Sequence, residues 1–180
     1  LALFPNSLRV FFDGRLLAYS GHLASALVLV TVGTLDDRIG LRGRVKLAGQ
    51  IVSALILIVC GLLIRNITVF GWTIELGLLS VPFTLFWLVG AINALNLLDG
   101  IDGMATTVGL ILVSAIALMA RITGNNDAQV VAIAFAGSLV GFLRYNFPPA
   151  KIFLGDAGSM LIGLVVGALA IEASLKGPGT

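Results

Sequence analysis

Residues 76–103 read LGLLSVPFTLFWLVGAINALNLLDGIDG, and this stretch decides how the rest of the chain is read. From Leu76 to Leu98 no side chain carries a charge, and Asp99, Gly100, Ile101, Asp102 and Gly103 then follow at once. A helix needs roughly 20 mostly apolar residues to cross the hydrocarbon core of a bilayer. The stretch is therefore one membrane span closed abruptly by a polar turn. Asn93, Asn96 and Asp99 recur at steps of three. On a helix they spread over about a third of the circumference, so they can look into one cavity. Asn amides this close to a span are costly unless they meet a partner, while Gly100 and Gly103 permit a tight turn. A hydrogen-bonded Asn/Asp/Gly turn would leave the same trace. Oxygen ligands of this kind also suit Mg²⁺, which favours a few carboxylates plus substrate phosphates.

Working outward, five more apolar runs separate cleanly, at 16–35, 45–64, 103–120, 128–143 and 159–175. With 76–98 they make about six spans, and residues 1–180 read as a single transmembrane domain of all-α class, a polytopic helix bundle. In hydrocarbon the backbone must satisfy its own hydrogen bonds, so the runs should be helices. Composition agrees: 58% of residues are hydrophobic and 11% charged, where a soluble domain is about a quarter charged. Mean hydropathy is +1.08. A net charge of +2 argues against a nucleic-acid partner. Residues 1–15, with Pro5, Arg9, Asp13 and Arg15, read as a loop or the frayed end of a further span, and 65–75 as a loop. Pro82 is placed to kink the third span. The chain starts on Leu1 and stops soon after an apolar run, which reads as a fragment of a longer multi-span protein.

Counting crossings sets the geometry. Spans one, three and five end on the face where two, four and six begin. Asp36, Asp37, Asp99, Asp102 and Asp156 all fall on that face, as do Arg38, Arg42, Arg44, Lys46, Arg144 and Lys151. Arg9, Arg15, Arg65, Arg121 and Lys176 fall on the other. Six basic residues against five is a weak positive-inside bias, tilted towards a cytoplasmic Asp face by the cluster from Arg38 to Lys46.

Two more motifs lie on that face. Adjacent Asp36 and Asp37 at a helix end repel each other, a cost explained if a cation or a proton relay uses them; a solvated loop with Asp–Arg pairs is the plainer alternative. The third, Phe147-Pro148-Pro149-Ala150-Lys151-Ile152-Phe153-Leu154-Gly155-Asp156-Ala157-Gly158-Ser159, leads into span six. Its helix start exposes backbone N–H groups and a positive dipole end, favouring an anionic ligand, with Asp156 available to a bridging metal. Alternatively, Ser159 caps the helix. His22 reads as interfacial, and Cys60, the one cysteine, as packing.

Jointly, Asp-Asp-Arg-x-Gly-Leu, Asn-Ala-x-Asn-x-x-Asp-Gly-x-Asp-Gly and Phe-x-Pro-Ala-Lys-x-Phe-x-Gly-Asp-x-Gly-Ser resemble the motifs of the polyprenyl-phosphate N-acetylhexosamine-1-phosphate transferases, in the same order. That family includes the peptidoglycan lipid I synthase; Arg38 after Asp37, and Pro-Ala-Lys before the Gly-Asp pair, look closer to the UDP-GlcNAc-using branch. The resemblance implies a bacterial inner-membrane enzyme with a cytoplasmic site and Mg²⁺ dependence, Mn²⁺ being the alternative. It implies transfer of a sugar-1-phosphate from a UDP-N-acetylhexosamine to a polyprenyl phosphate, with release of UMP. On the matching positions, Asp36 and Asp37 would be catalytic, serving the acceptor phosphate and metal. Asn96 and Asp156 would be metal ligands, and Lys46, Asn93, Asp99 and Asp102 would bind substrate. Oligomeric state is left open, a homo-oligomer included. Family members usually add further spans and a late His-rich loop, where this chain has only His22. A proton- or ion-coupled transporter and a non-catalytic membrane subunit are the alternatives. A transporter, however, needs polar groups along its path, and the middles of these spans are apolar.

Overall fold

The computed structural model describes residues 6–175. Six helices run in chain order: α1 Asn6–Ile39, α2 Gly43–Val59, α3 Ser80–Leu97, α4 Met104–Ile122, α5 Asn126–Asn146 and α6 Gly155–Leu175. Five segments are long and apolar enough to cross a membrane: Leu17–Ile39, Gly77–Gly100, Met104–Ile122, Asn126–Asn146 and Gly155–Ser174. The remaining helix, α2, has 17 residues. At 1.5 Å per residue it is about 26 Å long, at the short end of what spans a bilayer. The fold is thus an all-α polytopic bundle, as the apolar runs predict.

Three local expectations need correction. Residues 6–15 are neither loop nor frayed end but the first turns of the 34-residue α1; residues 1–5 lie outside the described residues. Pro82 does not sit inside a long helix: a 3₁₀ turn, Gly77–Leu79, precedes α3, so Pro82 falls in the first helical turn. There its missing N–H leaves no bond unmade. The 65–75 segment is not irregular, but an antiparallel hairpin of β1 Asn66–Val69 and β2 Trp72–Glu75, with Asn66 opposite Glu75. Phe70 and Gly71 turn it with φ of 51° and 82°, the left-handed pair that matches the strands' twist. The β-branched residues flanking Phe-Gly were the available signal.

Helix α6 is the axis of the bundle. Its span is 61% buried, against 17–28% for the other four spans. On one side it closes a core with α3, α4 and α5 through Leu95, Val113, Leu139, Ile162 and Leu169. On the other it closes a second core with α1, α2 and α3 through Leu29, Leu57, Leu88, Ile92 and Met160. Small residues let the backbones approach, as they do generally between membrane helices. A Cβ on Gly163 would lie 2.6 Å from both the Ala91 carbonyl oxygen and the Ile92 Cα of α3. Backbone cannot swing aside as a side chain can. Gly163→Val is therefore expected to destabilise the bundle by about 1–3 kcal/mol, the usual cost of overpacking. Gly137→Ala, where nothing lies within 4 Å, should be tolerated. Thermal unfolding in detergent checks this, and equal melting points for the two variants would contradict the close approach of α3 and α6.

Candidate active site

Four helix ends meet where the sequence reading gathers its aspartates. The last turn of α1 carries Asp36 and Asp37, the first turn of α2 carries Lys46, the last turn of α3 carries Asn96, and the first turn of α6 carries Asp156. Lys46 joins them. Its Nζ donates to Asp36 Oδ2 at 3.0 Å and also forms a close ion pair with Asp156 Oδ2. These side chains are largely shielded, at 19% exposure for Lys46, 13% for Asp36 and 25% for Asp156, so water screens their charges only in part. Asp36 Oδ1 also accepts from the backbone N–H of Leu41 at 2.6 Å, which closes the α1–α2 turn onto the site.

The remaining oxygen of Asp156 accepts from Asn96 Nδ2 at 2.6 Å. The same nitrogen donates to Ser159 Oγ at 2.9 Å, and Ser159 donates to the Gly155 carbonyl. Ser159 is thus not the cap of α6. That place belongs to Asp37, whose carboxylate accepts from the backbone N–H of Asp156 at 2.8 Å and of Ala157 at 3.3 Å. The free amides that favour an external anion are engaged by a carboxylate some 120 positions earlier in the chain. Gly155 makes room for it: with φ +67°, a Cβ there would stand 2.7 Å from Asp37 Oδ2. The positive end of the α6 dipole then lies under Asp37.

The other predicted residues take different stations. Asp99, on the 3₁₀ turn Leu98–Gly100 after α3, is half-buried and close enough to feel the charges of Asp156 and Asp37. Asp102 Oδ2 accepts from the backbone N–H of Ala150 at 3.0 Å, which pins the α5–α6 loop against the α3–α4 turn. Asn93 points its amide into the bundle, donating to Gln50 Oε1 at 2.7 Å and to the Val89 carbonyl at 2.8 Å. The structure therefore brings Asp36, Asp37, Lys46, Asn96 and Asp156 into one hydrogen-bonded group with Asp99 beside it. Asn93 and Asp102 stand around its edge.

Two residues that frame the site escaped the sequence reading. Gln50 is an isolated amide in an apolar run. Asn146 accepts from Thr106 Oγ1 at 2.8 Å and donates to the Ile152 carbonyl at 3.0 Å, so it folds the loop back on α5. Its only sequence signal was a polar residue at the end of a span.

Asp36 and Asp156 share the Lys46 ammonium, with the carboxylates of Asp37 and Asp99 close to Asp156, and such a surplus of negative charge favours a bound cation. The donors are hard oxygens, as Mg²⁺ or Mn²⁺ prefers. Among the described residues no three His, Cys, Asp or Glu side chains converge to enclose a metal by themselves. A divalent ion would therefore take one or two carboxylates and an amide oxygen here, and complete its shell with substrate and water.

The model of glycosyl transferase family 4 matches residues 19–174. The chain belongs to glycosyl transferase family 4. It is 38% identical over 153 residues to a probable undecaprenyl-phosphate N-acetylglucosaminyl 1-phosphate transferase of Bacillus subtilis, covering 84% of this chain and 43% of that one. It is 36% identical over 182 residues to a phospho-N-acetylmuramoyl-pentapeptide-transferase of Streptococcus pneumoniae, covering 94% and 55%. The corresponding protein of Streptococcus equi is 37% identical over 180 residues, covering 93% and 54%. The chain thus spans about half the length of the curated relatives it matches. All three motifs fall inside the family match, so the assignment and the side-chain cluster rest on the same residues.

Proposed function

We propose that the protein to which these residues belong transfers an N-acetylhexosamine-1-phosphate, GlcNAc-1-phosphate by its motifs, from a UDP-sugar to a polyprenyl phosphate such as undecaprenyl phosphate. A terminal oxygen of the lipid phosphate attacks the phosphorus that carries the sugar. The bond from that phosphorus to the bridging oxygen breaks, and UMP departs with the electron pair. The product is a polyprenyl diphosphate sugar, the start of a cell-envelope polysaccharide.

The observation that carries this reading is the Lys46 ammonium held between Asp36 and Asp156 at the mouth of membrane helices. Joining two phosphates brings like charges together, so the reaction needs cations and fixed dipoles more than covalent help. Lys46 offers a cation to the acceptor phosphate. Asp36 and Asp37 stand on the acceptor side, one of them able to take its proton, and Asp99 stands on the nucleotide side. Asp102 holds the loop that frames the nucleotide, and Asn93 supports Asn96 from within the bundle. Asp156 and Asn96 would hold a divalent metal, Mg²⁺ by donor type, which when bound neutralises diphosphate charge. A lipid acceptor explains a site at helix ends, since its phosphate sits at the interface while its tail stays in hydrocarbon. The setting is a bacterial cytoplasmic membrane with the Asp face inward. A transporter reading lacks a polar path through the apolar spans, and the three relatives named above are transferases by name.

The test is UMP release by the full-length protein with undecaprenyl phosphate, Mg²⁺ and a panel of UDP-sugars. UDP-GlcNAc is expected to react at least about tenfold faster than UDP-MurNAc-pentapeptide, since buried sugar contacts discriminate by that much or more. Preference for the pentapeptide would reassign the sugar, and no release from any UDP-N-acetylhexosamine would overturn the function.

A further inference from the structure

Among the buried polar side chains outside the motifs, one touches a motif residue one turn from the site. Gln50 lies on α2 and is 1% exposed. All its polar atoms are engaged: Oε1 accepts from Asn93 Nδ2 at 2.7 Å, and Nε2 faces Asn93 Oδ1 at 3.3 Å and Met160 Sδ at 3.4 Å. Gln50 is one helical turn from Lys46, Asn93 one turn from Asn96, and Met160 one turn from Asp156. Residues one turn apart on a helix stack on the same face. The three side chains meeting at Gln50 thus form a layer directly beneath the three that meet at Asp156.

We infer that Gln50 is the positioning residue of the site: through its amide pair with Asn93 and its contact with Met160, it sets the rotation of α2, α3 and α6 that brings Lys46 and Asn96 onto Asp156. A buried amide in an apolar bundle must find a partner, and the reciprocal Gln50–Asn93 pair closes at one rotation of α2 against α3. A leucine of similar volume would fill the layer but would accept neighbouring rotations equally. Such specification of register is the best-attested use of a buried polar pair. Partners one layer out from a reactive site typically change affinity or activity by about 10–100-fold when lost.

The kinetic part of this inference rests on the proposed transferase reading; the geometric part does not, and the experiment reads both. In the full-length protein, Gln50→Leu, Gln50→Asn, Asn93→Gln and the swap Gln50→Asn/Asn93→Gln are compared. The swap keeps the summed length of the pair, and neither single exchange does. Acylation of Lys46 by a water-soluble amine reagent is followed by peptide mass spectrometry, with the exposed Lys151 as internal reference. UMP release gives kcat and KM on the same samples. Gln50→Leu is expected to raise Lys46 labelling relative to Lys151 several-fold. It should lower kcat by about 10–100-fold while KM for the UDP-sugar changes far less. The swap should restore both Lys46 protection and kcat.

Unchanged Lys46 labelling in Gln50→Leu overturns the inference whatever the activity does, as does a swap that leaves Lys46 open. If Gln50→Leu does not fold, the swap alone decides by the same labelling criterion. A wild type that releases no UMP, yet loses Lys46 protection with Gln50→Leu and regains it in the swap, supports the inference and defeats only the transferase reading.

Discussion

Asp156→Asn is expected to lower UMP release by the full-length protein by at least about three orders of magnitude, or some 4 kcal/mol of transition-state stabilisation, with little change in melting temperature. The reason lies in what each atom of Asp156 does. Oδ2 pairs with the Lys46 ammonium and Oδ1 accepts from Asn96, while the backbone N–H is held by Asp37. An asparagine retains the backbone bond and one side-chain acceptor, so α6 keeps its start. It removes the charge that a cation needs, and its amide hydrogens turn towards an ammonium that is itself only a donor. Lys46 is left to Asp36 alone. The effect falls on chemistry rather than on folding, because the change is in charge and not in volume. Activity above about a tenth of wild type would remove Asp156 from the phosphate-transfer site.

The second large effect separates two duties of one residue. Asp37 caps α6 through the N–H groups of Asp156 and Ala157, and it also brings a second carboxylate beside Asp36. Replacing a capping side chain by alanine costs about 0.5–2 kcal/mol, whereas asparagine caps about as well as aspartate. Asp37→Ala should therefore lower the melting temperature and Asp37→Asn should not. Both should lose activity by about 100-fold or more if the charge serves the acceptor phosphate, since proton transfer by a placed base contributes about 10²–10⁴-fold. Melting temperature and UMP release measured on both variants read the two duties independently. Asp37→Asn with wild-type turnover would make Asp37 a cap and nothing more.

The helices were legible in the chain because hydrocarbon imposes a strong, local condition: enough consecutive apolar residues, with the backbone satisfied internally. The hairpin is written more faintly, in Asn66–Val69 and Trp72–Glu75 around Phe70-Gly71, because four-residue strands carry too few alternations to stand out from a loop. Pro82 misled because the apolar run begins before the helix does, and hydropathy does not mark where a 3₁₀ turn gives way to an α-helix. For the site, face counting from span parity was enough to gather the aspartates, since parity depends on the number of crossings and not on packing. It was silent on which carboxylate meets which donor.

By itself, then, the sequence determined that this is a membrane bundle of glycosyl transferase family 4 with five of its aspartates at one end of the helices. Apolar length, span parity and three motifs are all properties of the chain read in order. Only the tertiary structure decided that Asp37 occupies the amides of α6, that Lys46 joins Asp36 to Asp156, that Asp102 pins a loop, and that Gln50 lies beneath the site. Those pairings depend on the rotation of each helix about its own axis. That rotation is set by close contacts such as Gly163 against Ala91, which join residues far apart in the chain and leave no periodic trace in it.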